Sequence, residues 1–275
     1  MSFQPATPLG GVAGWAFLNR TFERQSESFA SSAQITRETD YFREKIGTVT
    51  SAKDLVADRQ LLKVALGAFG LEDDLNKGFF IRKILEEGSD NQSSMANRLV
   101  DKRYVELTDA FGFGSPLGPK NAFSGFADEM ISSFRTRQFE VAIGQNDNEL
   151  RLALNFKREI GVIANETNNG NTGWFKVLGT TSLRNVVEKA FNLPPEFANL
   201  DIDRQVATLK SGSSREFGSD DFSVFQNTAN IDQTIEKFLV RSQISNQGVG
   251  ASAALTILQG NSGSGTLEAL FAALY

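Results

Sequence analysis

The chain has 275 residues, with 28 Lys and Arg against 33 Asp and Glu, and it contains neither cysteine nor histidine. Disulfides, thiolate nucleophiles, zinc–thiolate sites and iron–sulfur clusters are thereby excluded, and the commonest general base and transition-metal ligand is missing. A net charge of −5 without any run of Lys and Arg gives no electrostatic reason to bind nucleic acid or an anionic membrane, while 40% hydrophobic and 22% charged residues is a globular balance.

Taken in chain order, residues 1–14 have no positive n-region and no long apolar run, so they read as a Pro- and Gly-containing flexible lead and not as a cleavable signal peptide. No segment approaches the roughly 20 apolar residues of a membrane span. Residues 15–32 carry Leu18, Phe22 and Phe29 at amphipathic-helix spacing. A second helix runs through Ile35, Tyr41, Phe42 and Ile46, and Gly47 is expected to close it in the left-handed region.

The strongest helical face follows. Leu61, Val64, Ala65, Ala68 and Phe69 fall at i, i+3, i+4, i+7 and i+8, with Gly70 in the C′ position and Leu71 where a Schellman motif places its apolar contact. Leu183, Val186, Val187, Ala190 and Phe191 repeat that spacing, and Asn192 and Leu193 repeat the cap, since Asn also enters the left-handed region. Pro194 and Pro195 then suit the start of a helix, as Glu72, Asp73 and Asp74 do in the earlier copy. Phe42-Arg43-Glu44-Lys45-Ile46-Gly47 likewise matches Phe156-Lys157-Arg158-Glu159-Ile160-Gly161, with the polar residues 165–173 absorbing the difference in spacing.

These pairs predict an all-α, multihelical fold built by internal duplication of a helical module. The expected layout is a lead and first helix over 1–34, module 1 over 35–113, a connector and linking helix over 114–149, module 2 over 150–240, and a C-terminal helix with an apolar tail over 241–275. The connector is the helix-free run Gly112-Phe113-Gly114-Ser115-Pro116-Leu117-Gly118-Pro119. The linking helix, about 123–143, presents Phe126, Met130, Ile131 and Phe134 on its apolar side. The 23 phenylalanines read as core packing.

No motif spells out a chemistry. The glycines of the connector follow a helix with the wrong spacing for a dinucleotide loop, and Asn261-Ser262-Gly263-Ser264-Gly265 lacks the Lys-Ser/Thr of a phosphate loop. Asp201, Asp203, Asp220 and Asp221 do not form a calcium loop. Asp201 is expected to cap the helix of Ile202, Val206 and Leu209, Asp220 or Ser219 to cap the next, and Asn146, Asp147, Asn148 and Glu149 to cap the helix over 150–164. No catalytic, cofactor-binding or metal-binding residue is assigned. From Gly248 onward Glu268 is the one charged residue, and Leu267, Leu270, Phe271 and Leu274 recur at i, i+3, i+4 and i+7. So short a helix is marginal alone in water; it is expected to dock either on the protein's own core or, as a partner-contact face, on another chain.

Several segments carry a family resemblance: Arg137-Gln138-Phe139-Glu140-Val141-Ala142-Ile143-Gly144, Arg151-Leu152-Ala153-Leu154-Asn155-Phe156, Trp174-Phe175-Lys176-Val177-Leu178-Gly179 and Asp201-Ile202-Asp203-Arg204-Gln205. So do residues 61–71, Phe80-Ile81-Arg82-Lys83-Ile84-Leu85 and residues 96–104. At these positions the chain resembles the alphaproteobacterial family of domain-of-unknown-function 1217 (DUF1217), often encoded among flagellar genes. The resemblance implies a repeated all-helical fold and a link to flagellar assembly or motility, and it implies no catalytic residue. The expectation is a non-enzymatic structural or protein-interaction component with a flagellar protein partner, either cytoplasmic or exported by the flagellar route. The alternative expectation is a hydrolase or transferase using carboxylates and Lys in a cleft between the two modules. Oligomeric state is left open.

Overall fold

The structure, a computed structural model, describes residues 3–166 and 171–260, with side chains of the last stretch described as far as Ser245. Among the described residues every regular element is helical. In chain order they are α1 (Gly11–Ala30), α2 (Ala33–Lys45), α3 (Ala52–Ala57), α4 (Arg59–Phe69), α5 (Gly78–Glu87), α6 (Met95–Arg98) and α7 (Arg103–Phe111). Then come α8 (Phe126–Gly144), α9 (Asn148–Glu166), α10 (Thr172–Gly179), α11 (Thr181–Ala190), α12 (Ile202–Phe217) and α13 (Thr228–Gly260). Short 3₁₀ turns interleave at Ile46–Thr48, Glu72–Asp74, Pro195–Asn199 and Phe222–Gln226.

The two predicted helix-and-cap segments are α4 and α11. Each buries the face read from its spacing: Leu61, Val64, Ala65 and Ala68 in α4, and Leu183, Val186, Val187 and Ala190 in α11. Both end in the same Schellman geometry. Gly70 has φ +70° and Asn192 φ +55°. The Leu71 N–H donates to Leu66 O at 2.9 Å and the Gly70 N–H to Gly67 O at 3.2 Å; the Leu193 N–H donates to Glu188 O at 2.9 Å and the Asn192 N–H to Lys189 O at 3.0 Å. In each case carbonyls that the helix end would orphan are satisfied by the returning chain. The Glu72–Asp74 and Pro195–Asn199 turns follow at the predicted places.

Packing runs in parallel in the two halves. Helix α4 lies against α2 and α8; α11 lies against α9 and α13. Helices α8 and α13 carry the same triplet at the same spacing, Ile131, Phe134 and Arg137 in one and Ile235, Phe238 and Arg241 in the other, and all four apolar members are buried. Helix α8 also packs on α9, and α1 lies across α2, α8, α9 and α13. One continuous apolar cluster therefore extends from Trp15 through Phe42, Phe134 and Phe156 to Leu239. The phenylalanines supply much of it through edge-on contacts, such as Phe22 and Phe29 on Phe139 with centroids 5.5 and 5.7 Å apart.

One expected helix end is corrected. Gly47 is not left-handed: the chain tightens into the Ile46–Thr48 turn, and the buried Asn121 amide donates to Ile46 O at 2.6 Å and to Val49 O at 2.8 Å. A side chain distant in sequence satisfies those carbonyls, so a local glycine cap has no job there. The helix expected over 150–164 runs as α9 through Gly161 to Glu166. The lead, expected to be flexible, is tied along α1: Gln25, itself buried, accepts from the Ala6 N–H at 2.6 Å and donates to Ala6 O at 3.2 Å.

Candidate interaction site

Two regions hold the unusual chemistry: an ionic seam where α8 meets α9, and the connector between α7 and α8.

At the seam Glu140 sits between Phe139 and Val141, and its side chain is 9% exposed. Arg158 of α9 grips it with two bonds, Nε to Oε1 at 2.7 Å and Nη2 to Oε2 at 3.0 Å. Arg158 also reaches Glu159 at 3.0 Å, and Arg137 of α8 reaches the same Glu159 oxygen at 3.3 Å. Burial disfavours the charge on Arg158, but Glu140 and then Glu159 hold its pKa above the ordinary arginine value. Burial, together with the neighbouring positive charge of Arg158, pulls Arg137 below it. Glu140 and Glu159 are thus engaged by guanidinium groups, two-pronged in the case of Glu140.

Arginines also finish the two matching helix ends. Arg103 donates to Gly70 O, with the Arg137 guanidinium beside the same residue. At α11, Arg215 donates to Phe191 O at 3.1 Å, and Arg241 donates to Ala190 O and, at 3.4 Å, to Lys189 O. Cations here complement the negative end of each helix dipole. Nearby, burial and a hydrogen bond to Asp74 push the Tyr104 phenol upward.

The connector, predicted helix-free over 112–119, is helix-free from Gly112 to Gly125, because the linking helix starts at Phe126 and not at about 123, and it is a built loop. Successive turns close it: Ser115 N–H to Gly112 O at 3.1 Å, Gly118 N–H to Ser115 O at 2.9 Å, and Lys120 N–H to Phe111 O at 2.9 Å. Gly112 and Gly118 take positive φ, and the Asn121 amide described above nails the loop to the end of α2. This pinned loop holds Leu117 90% exposed and Phe123 66% exposed. Large apolar side chains on a rigid, pre-ordered loop are the kind of group that anchors a protein contact, because little entropy is lost when a partner covers them.

The aspartates considered as cation ligands serve other ends. Asp201 caps α12, accepting from the Arg204 N–H at 2.9 Å, and Asp147 caps α9, accepting from the Leu150 N–H at 2.9 Å. The cap expected at Asp220 or Ser219 is Asp221, which accepts from the Ser223 N–H at 2.8 Å; Asp220 instead pairs with Lys210 at 3.0 Å, and its carbonyl accepts from the Trp174 indole. The shift by one residue follows from Trp174, whose buried N–H needs a carbonyl at that point. Asp203 stays on the exposed first turn of α12. The candidate partner-contact residues Leu267, Leu270, Phe271 and Leu274 lie outside the described residues. Sequence reasoning missed the seam, although a carboxylate inside an apolar helical run, as at Phe139-Glu140-Val141, is a readable sign of a buried pair.

The family profile described as "Protein of unknown function (DUF1217)" matches residues 68–231, more than half the chain. The chain belongs to the DUF1217 family. The matched stretch takes in the connector, the seam and both Schellman caps. The fold is similar to the X-ray crystal structure of an Agrobacterium tumefaciens protein from the Northeast Structural Genomics Consortium. That likeness has a TM-score of 0.71 and 27% identity, over 88% of this chain and 99% of that one. A comparison with curated proteins finds no match.

Proposed function

We propose that this DUF1217 protein is a non-enzymatic protein-interaction component, built on a duplicated helical module, that presents its connector to a partner of the bacterial flagellum. The observation that carries the reading is the pinned loop with Leu117 and Phe123 in water. Duplication, with α8 drawn into the first module beyond its expected end at residue 113, is supported by the paired caps at Gly70 and Asn192, the repeated Ile–Phe–Arg triplet and the parallel packing of α2, α4 and α8 with α9, α11 and α13. The flagellar setting rests on the family resemblance.

The hydrolase or transferase alternative requires carboxylates or Lys free to act in a cleft between the halves. Glu140 and Glu159, the carboxylates at the α8–α9 seam, are instead held in ion pairs by Arg137 and Arg158, which favours the interaction reading over that alternative. Capture of flagellar components from a bacterial lysate by the full chain, compared with Leu117→Ser and Phe123→Ser, tests the proposal. The wild-type chain is expected to retain a flagellar component that the paired variant loses. Equal retention by both chains refutes the role of the connector.

A further inference from the structure

In both halves the helix that carries the Ile–Phe–Arg triplet seals the end of a module, yet the two are covered differently. Three residues beyond Arg137, Glu140 of α8 meets Arg158 of α9, the next helix in the chain folded back upon it. Three residues beyond Arg241, the matching position of α13 is Ile244, 64% exposed, with Val240 beside it one turn earlier and 44% exposed. Gln243, which matches Phe139, meets Gly11 of α1 much as Phe139 meets Phe22 and Phe29 of that same helix. The seat occupied by α9 on α8 is therefore unfilled on α13 among the described residues, and it is apolar where the first seat is ionic.

We propose that residues 266–275 of the same chain fill this seat, packing Leu267, Leu270, Phe271 and Leu274 against Val240 and Ile244. The inference rests on the duplicated-module reading. Its chemistry matches: an apolar stripe at i, i+3, i+4 and i+7 meets an apolar position, and no basic residue is needed because no carboxylate stands at 244. Its connectivity matches, since α8 is likewise followed by the helix that covers it. The distance also closes. From Ile244 to the end of α13 is about 24 Å at the helical rise. Residues 261–265 would span up to about 17 Å if extended, and residues 266–274, if they take the helical spacing of their apolar stripe, would add about 12 Å on the return.

The absence of native cysteine makes the test clean. Full-length Ile244→Cys/Leu274→Cys and Ile244→Cys/Phe271→Cys are oxidised with glutathione disulfide and resolved by non-reducing electrophoresis and mass. A disulfide needs the two Cα atoms within about 7 Å. At least one pair is expected to close within the monomer at low protein concentration, while the control Ser211→Cys/Leu274→Cys, on α12, stays open. Intermolecular dimers would overturn the proposal in favour of a second copy. Closure of the control to the same extent, or of neither test pair, would overturn it outright. Failure here with partner capture still dependent on Leu117 and Phe123 leaves the interaction reading standing; closure here with no such dependence does the reverse.

Discussion

Removing Glu140 should unlock the seam, and its cost follows from the geometry. Glu140→Ala deletes both bonds to Arg158, at 2.7 and 3.0 Å, and leaves that guanidinium, 25% exposed, with Glu159 alone. Breaking one partner of a buried pair costs about 3 to 5 kcal/mol, and the remaining Glu159 contact places this case near about 3. With an unfolding entropy of about 2.1 cal/mol/K per residue, a chain of 275 residues should lose about 5 °C in Tm. Differential scanning calorimetry and urea unfolding measure it. Glu140→Leu combined with Arg158→Met, which replaces the pair by apolar groups of similar size, should recover most of the loss because neither charge is then stranded. A single-variant cost below about 1 kcal/mol, or a double variant as unstable as the sum of its parts, would refute the reading of the seam as a mutually dependent buried pair.

Other outcomes follow from named contacts. Asn192→Ala should cost about 1 kcal/mol because alanine resists the left-handed region, whereas Asn192→Gly should be neutral or stabilising in the same urea experiment. Asn121→Ala strands the Ile46 and Val49 carbonyls, so a loss of about 2 kcal/mol is expected, with faster proteolytic nicking between residues 112 and 120. Acid should weaken the start of α4. Burial alone would raise the Asp58 carboxyl, but the Tyr41 hydroxyl and the Leu61 and Gln60 N–H groups hold it below its ordinary value. A depressed carboxyl contributes stability above its unfolded pKa of about 3.9 and loses it as pH falls through the folded value. Stability should therefore drop below about pH 4, and Asp58→Asn should flatten that part of the profile. Phe134→Ala and Phe238→Ala should each cost about 3 to 5 kcal/mol, and each should lower one shared transition because a single apolar cluster joins the halves; separate transitions for the two variants would contradict that continuity.

The faces and caps of α4 and α11 were legible because their causes are local. Apolar residues at helical spacing define the buried stripe, and Gly70 or Asn192 closes the helix through backbone conformation that only a few residue types adopt. Gly47 and Asp220 were misread because their partners are remote: Asn121 serves the carbonyls near Gly47, while Lys210 pairs with the Asp220 carboxylate and Trp174 donates to its carbonyl. Nothing in the spacing around either residue encodes those neighbours.

Composition alone settled the absence of thiol and imidazole chemistry, and hydrophobic periodicity settled that the chain is helical, since both depend on which residues are present and how far apart they stand. The pairing of Glu140 with Arg158, the fastening of the connector by Asn121 and the exposure of Leu117, Phe123 and Ile244 were decided by the tertiary structure. Each depends on which helix lies beside which, and the free energy of such a contact exists only once distant segments have been brought into one core.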